Sequence, residues 1–143
     1  PRGGRVLVQT RSPGHHALRW AAKHDVEGFL REELDSRRAP PYPPFTSLVN
    51  IVVTGTDERE VGAEAAAVAD WCGGLIGHYS LPVIVLGPAP CPLARIKNRW
   101  RWHVLLKGPA EEIGRIVRYA ASRITKGGRG VRVVLDRDPV SML

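Results

Sequence analysis

Few side chains in this 143-residue sequence have the type and spacing that chemistry needs. Cys72 and Cys91 are the two cysteines, too few for a zinc site without histidine and too few for a disulfide framework. His15 and His16 are adjacent, so they cannot both face one metal from a helix, and they read as solvated turn residues. Cys72 falls on an apolar helical stripe, where a thiol acts as a small buried hydrophobe. Cys91 lies among prolines near Arg95; it is either a reactive thiol beside a cation or inert. Asp136 and Asp138 alternate, which suits either a magnesium ion or pairing with nearby arginines that finishes a strand. No Gly-x-x-x-x-Gly-Lys-Ser/Thr loop is present to cradle a triphosphate, and no nucleophile, base and oxyanion donors assemble. The expectation is no catalytic residue, no metal and no cofactor in this chain.

Binding has better candidates. From Leu93 to Lys107 there are five basic residues, Arg95, Lys97, Arg99, Arg101 and Lys107, and no acid. Strand alternation from residue 99 points Arg99, Arg101, His103 and Lys107 one way and Trp100, Trp102, Val104 and Leu106 the other. The tryptophans then pack in a core, or Trp100 at the strand's entrance stacks on an unpaired base. From Gly114 to Arg132 six more basic residues occur without an acid. Arg115 and Arg118 share one helical stripe, and Arg123, Lys126, Arg129 and Arg132 extend the charge through a glycine-rich loop. A guanidinium suits phosphate and carboxylate equally, so the polyanion is either nucleic acid or an acidic peptide. The expectation is one contiguous cationic surface.

These residues need elements to hold them. Residues 5–10 read as a short strand, and Leu18, Ala21 and Ala22 share a helical face. Asp25 caps a second helical run in which Val26, Phe29, Leu30 and Leu34 recur, ending near Arg38. Ala39-Pro40-Pro41-Tyr42-Pro43-Pro44 forbids helix and makes a stiff link. It separates an arm, 1–44, from a domain, 45–143. The domain then alternates: a strand over 48–53, a helix over 57–76 capped at Asp57, a strand over 82–86, a proline loop over 87–92, a strand over 99–106, a helix over 110–125 and a strand over 131–135. That order, β-α-β-β-α-β, is the split βαβ or ferredoxin-like arrangement. It is an α+β fold: a four-stranded sheet with two helices on one face.

Composition agrees with a folded, cation-bearing domain. Hydrophobic residues are 43% and charged residues 24% of the chain, a globular balance. No apolar run is long enough to span a bilayer, and the first residues do not open a signal peptide, so no membrane partner is expected and the cell interior is the default. Twenty-one Lys and Arg against 14 Asp and Glu give +7, and most of the excess lies after residue 71. A charge imbalance of that kind concerns partners more than fold.

Several blocks resemble one family. Arg5-Val6-Leu7-Val8-Gln9-Thr10, His24-Asp25, Glu32-Glu33-Leu34 with Arg37-Arg38, and Tyr42-Pro43-Pro44-Phe45 are similar to the C-terminal portion of the bacterial primosomal protein N-prime (PriA) family. The likeness continues in Leu86-Gly87-Pro88-Ala89-Pro90, in Arg99-Trp100-Arg101-Trp102-His103-Val104-Leu105-Leu106-Lys107, and in Val134-Leu135-Asp136-Arg137-Asp138-Pro139. The resemblance implies a role in restarting replication at stalled forks, with branched or single-stranded DNA, the acidic tail of the single-stranded-DNA-binding protein and other primosome proteins as partners, in the nucleoid-associated cytoplasm. It implies a fold like ribosomal protein S-ten. Family members are ATP-driven 3′-to-5′ helicases that hold zinc in a cysteine-rich insertion, so ATP and zinc belong to a longer parent, and residues 1–10 look like the last strand of its motor lobe.

The resemblance also carries a departure. The family's tail contact uses a basic residue in the first turn of the second domain helix and a polar one a turn later. Those positions are Glu111 and Arg115 here, leaving Arg115 and Arg118 to substitute. The basic stretches, together with the function the resemblance implies, give the expected contacts: DNA at Arg95, Lys97, Arg99, Trp100, Arg101 and Lys107, and a partner or phosphate at Arg115, Arg118, Arg123 and Arg129. The alternative is an interaction domain that docks an acidic peptide or braces the motor lobes without DNA affinity.

Overall fold

The structure, a computed structural model, describes residues 3–121 and 130–142. The chain divides into two compact units, Pro1–Pro40 and Pro41–Leu143, and the division falls inside the proline run.

The first unit is a helical hairpin of α1 (His16–Ala21) and α2 (Val26–Ser36). His15 starts α1 by accepting from Ala17 N, and Asp25 starts α2 by accepting from Gly28 N at 2.8 Å. Gly28 is required where it stands: a Cβ there would lie 2.5 Å from the Trp20 ring. The indole Nε1 donates to Glu32 at 2.5 Å, and His16 meets Glu33 at 2.6 Å, so His16 is bonded across the hairpin and not simply solvated. Two expectations need correction. Residues 5–10 form no strand, because no described segment runs beside them to complete a ladder. Val26, Leu30 and Leu34 recur as read, yet they remain exposed.

The second unit holds β1 (Ser47–Gly55), α3 (Glu58–His78), β2 (Ile84–Ile96), β3 (Arg99–Gly108), α4 (Ala110–Ala121) and β4 (Arg132–Arg137). The sheet order is β2-β3-β1-β4 and every neighbouring pair is antiparallel. Each helix therefore connects two strands with a third lying between them, and the class is α+β as the element order indicates. In β1, residues 49, 51 and 53 point to the helices, opposite Leu106, Val104 and Trp102 of β3, and Ile51 and Val53 also meet Leu135 and Val133 of β4. With Val61, Ala65 and Cys72 of α3 and Ile113, Ile116 and Ala120 of α4 they form one core. Burying an aliphatic side chain of this size contributes about 1.5–3 kcal/mol.

The helices follow their stripes with small differences. Asp57 caps α3 through Arg59 N and Glu60 N at 2.8 and 3.0 Å. Gly73 and Gly74 do not end α3, because Leu75 and Ile76 pack on the core and hold the last turns to His78. On α4, Ile113, Ile116 and Ala120 are buried while Ala121 is exposed, and the end of the helix expected to reach residue 125 lies outside the described residues.

Residues 87–92 correct the sequence reading. They belong to β2, not to a separate loop. An edge strand tolerates proline because one side of its backbone needs no partner, and bulges absorb the missing donors. The register jumps twice, between Leu86 and Ala89 and between Pro90 and Arg95, so residues 91–94 arch past a single β3 residue, Arg101. Gly87 makes the first jump possible with φ of +96°, its Cα so close to His103 O that a Cβ would lie 2.9 Å from that oxygen.

Candidate functional site

The β2–β3 turn is the local device that concentrates charge. Lys97 and Asn98 both have positive φ, 48° and 63°, the two-residue hairpin geometry whose twist matches the flanking strands. Asparagine tolerates that backbone better than most residues, and Lys97 is carried at the tip. Arg95 precedes the turn; its guanidinium lies 5.0 Å above the Trp100 ring and donates to the Asn98 side-chain oxygen. Arg99 follows it and reaches across the end of the sheet, donating to the carbonyls of Thr54 and Gly130 at 3.4 and 3.3 Å. Arg101 donates to Leu93 O at 3.3 Å, inside the arch of 91–94. The acceptors named here are all neutral, so these contacts orient the arginines without cancelling their charge.

Alternation decides which face each residue takes. Trp100 and Trp102 lie on the helix side, half-buried against the core. One face of the Trp100 ring already carries Arg95. Arg101, His103, Leu105 and Lys107 lie on the face without helices, together with Leu48, Asn50, Val52 and Thr54 of β1. Lys107 is not part of the same group: it stands six residues along β3 from Arg101, about 20 Å away, with its ammonium 4.3 Å from the Tyr42 ring.

The helical arginines form a different patch. Arg115 is paired with Glu111 at 3.0 Å and Glu112 at 3.5 Å, one turn back on α4. Arg118 extends toward Gly114, where Arg137 from β4 also lies, its Nη2 donating to Ala110 O at 3.2 Å. Arg123 and Arg129 lie outside the described residues. The single cationic surface expected from the acid-free stretches is therefore two patches among the described residues, one at the hairpin end of the sheet and one on α4. Sequence spacing missed this because α4 packs on the opposite face from Arg101.

Two residues were under-read. Arg132 opens β4 directly opposite Thr54, and Thr54 is opposite Arg101, so β1 has a basic residue on either side at that row. Period-two alternation in the last strand was the signal. Arg137 does more than pair with Asp138: Gly114 gives it room against the helix backbone.

The remaining candidates settle into structural roles. Asp138 accepts from Leu48 N at 3.0 Å and lies 3.4 Å from Arg137, which finishes the β1–β4 pairing. Burial pushes the Cys72 thiol up to about 11. Cys91 is also buried, and burial raises its thiol more than the neighbouring Arg101 lowers it, so it is not an activated nucleophile. Burial, and then Arg101, hold His103 below its ordinary value, with Nδ1 buried and unpartnered among the described residues. Between α3 and α4, Leu75, Tyr79, Leu81, Ile116 and Tyr119 line a cavity of about 360 Å³ with Arg115 at its rim. Trp71 stacks on Tyr119 beside it, centroids 5.8 Å apart.

Fold and site together define a class: a small antiparallel α+β domain with a basic sheet end and a separate apolar groove between its helices. The chain belongs to the primosomal protein N C-terminal domain family, whose pattern matches residues 38–140. It is 37% identical over 107 residues to a Replication restart protein PriA of Synechocystis, covering 75% of this chain and 12% of that one. A Treponema pallidum protein of the same name is 34% identical over 140 residues, covering 98% of this chain and 21% of its own length. One from Bacillus subtilis is 27% identical over 145 residues, covering 98% and 17%. The chain thus spans at most about a fifth of the length of these relatives.

Proposed function

We propose that this chain is the C-terminal module of a replication restart protein, and that it holds branched or single-stranded DNA for the parent protein while the replicative helicase is reloaded. The observation that supports this most is the hairpin end of the sheet, where Arg95, Lys97, Arg99, Arg101 and Arg132 collect and the acceptors given for Arg95, Arg99 and Arg101 are uncharged. In this reading ATP and zinc belong to the parent, other primosome proteins are partners of the assembly, and the work is done at the nucleoid in the cytoplasm. Among the described residues no helix is long and apolar enough to cross a membrane.

The test is a salt titration of binding to forked and single-stranded DNA. Affinity should fall steeply, and each lost phosphate contact, as in Arg95→Glu or Lys97→Glu, should reduce the log–log slope by about 0.7–0.9. A flat titration would remove the reading.

A second reading rests on the groove between α3 and α4. Its apolar lining and the guanidinium at its rim suit an acidic peptide tail ending in an aromatic residue, such as that of the single-stranded-DNA-binding protein. Glu111 and Glu112 now hold Arg115, so the peptide carboxylate has to displace them. Calorimetry with such a peptide separates the readings: Arg115→Glu with Arg118→Glu should abolish peptide binding and spare DNA.

A further inference from the structure

Across the hairpin end of the helix-free face, three residues from three strands stand in one row. Arg101 of β3 is opposite Thr54 of β1, and Thr54 is opposite Arg132 of β4. Arg132 is exposed and has no ion pair among the described residues. Arg99 reaches the same place, bonded to the backbone of Thr54 and Gly130. We propose that this row is a track for the sugar-phosphate backbone of one nucleic-acid strand, which crosses the sheet at right angles to β1 and is held through its phosphates alone. The proposal rests on the DNA-binding reading above and deepens it by naming the face, the ligand group and Arg132.

Three features of the face support a crossing strand. Arg101 and Arg132 are two strand spacings apart, about 10 Å, a gap that neighbouring phosphates of one extended strand can bridge. Toward the other end of the face the charge is mixed, with Asp136 opposite Asn50 and Lys107 opposite Leu48, so a polyanion is drawn more strongly to the hairpin end. The next row, His103, Val52 and Val134, holds two aliphatic side chains and an imidazole that burial and Arg101 disfavour as a cation, so the basic row has no charged neighbour directly beside it. Sequence-tolerant strand binding elsewhere relies on aromatic rings beneath the bases. Here the strand tryptophans, Trp100 and Trp102, face the helices, leaving phosphate contacts as what the row offers.

The experiment compares two labelled 12-mers by fluorescence anisotropy with the whole chain at low salt, one of thymidines and one of abasic sugar-phosphate units. The expected result is affinities within about threefold of each other. Arg101→Glu and Arg132→Glu should each weaken both strands alike, by about tenfold, as loss of a charge-assisted phosphate contact implies. Arg132→Gln, which removes the charge and little else, should weaken both in the same direction and tests the row even if the reversed variants fail to fold. Abasic binding more than tenfold weaker than thymidine binding would overturn the proposal, since bases would then be read. Wild-type affinity in Arg132→Gln, with binding abolished by Arg95→Glu and Lys97→Glu, would overturn it while keeping the DNA-binding reading. No binding to either strand would overturn both.

Discussion

His103 and the two cysteines show how burial takes the lead in setting the chemistry of single residues here. The imidazole is held below its ordinary 6.5, first by burial and then by Arg101. Since the folded form resists a proton that the unfolded chain accepts, stability is full above about pH 6.5 and declines as pH falls below it. Melting followed between pH 7.5 and 5.5 should show that decline, and His103→Val should reduce its slope. The thiols make a second case. Cys72 is raised to about 11 and Cys91 is raised as well, both by burial. A thiol reagent should find neither in the folded protein at neutral pH and both after denaturation; one rapid equivalent from the folded state would show that the 91–94 arch opens. The role of Cys72 was legible from its place on a 3.6-residue stripe. That of Cys91 was not, because nothing in local spacing shows that the register jump past Arg101 would bury it.

At the level of elements, the sequence is most readable where period and packing agree. The β1, α3, β3 and α4 stripes point to the core as their alternation requires, and their ends shift by a few residues as helix and strand ends do. The reading fails where an element depends on a neighbour. Residues 5–10 have strand composition and no ladder, and 87–92 have loop composition and yet pair at a sheet edge. Gly87 is the residue on which that edge turns. Gly87→Ala combines an unfavourable φ with a Cβ against His103 O, which should cost about 1–3 kcal/mol. Melting should fall by about 5–10 °C, and an unchanged midpoint would mean that β2 can register another way. In the first unit the analogous position is Gly28, where the Trp20 ring leaves no room for a methyl group.

For the whole molecule, the basic excess visible in composition is sorted by topology in a way composition cannot show. Arg101 and Arg132 are 31 residues apart in sequence and meet across β1, whereas Arg115 and Arg118 lie on the helix layer. The two patches should therefore be separable: Arg132→Gln should lower DNA affinity with peptide binding intact, and Arg115→Glu should do the reverse, as measured by anisotropy and calorimetry on the same preparations. Loss of both activities in either variant would mean that the patches act as one.

The proline content of β2 has one more effect. A sheet with free rims invites a further strand from another copy of the same chain, and polymerisation follows when the rim offers regular donors. Pro88, Pro90 and Pro92 have no N–H to offer, and the two register jumps bend that rim out of line. On the opposite rim, β4 is only six residues long. Many copies can thus stand side by side at high local concentration without zipping together through their sheets, a safeguard that putting N–H-bearing residues at those three positions would remove.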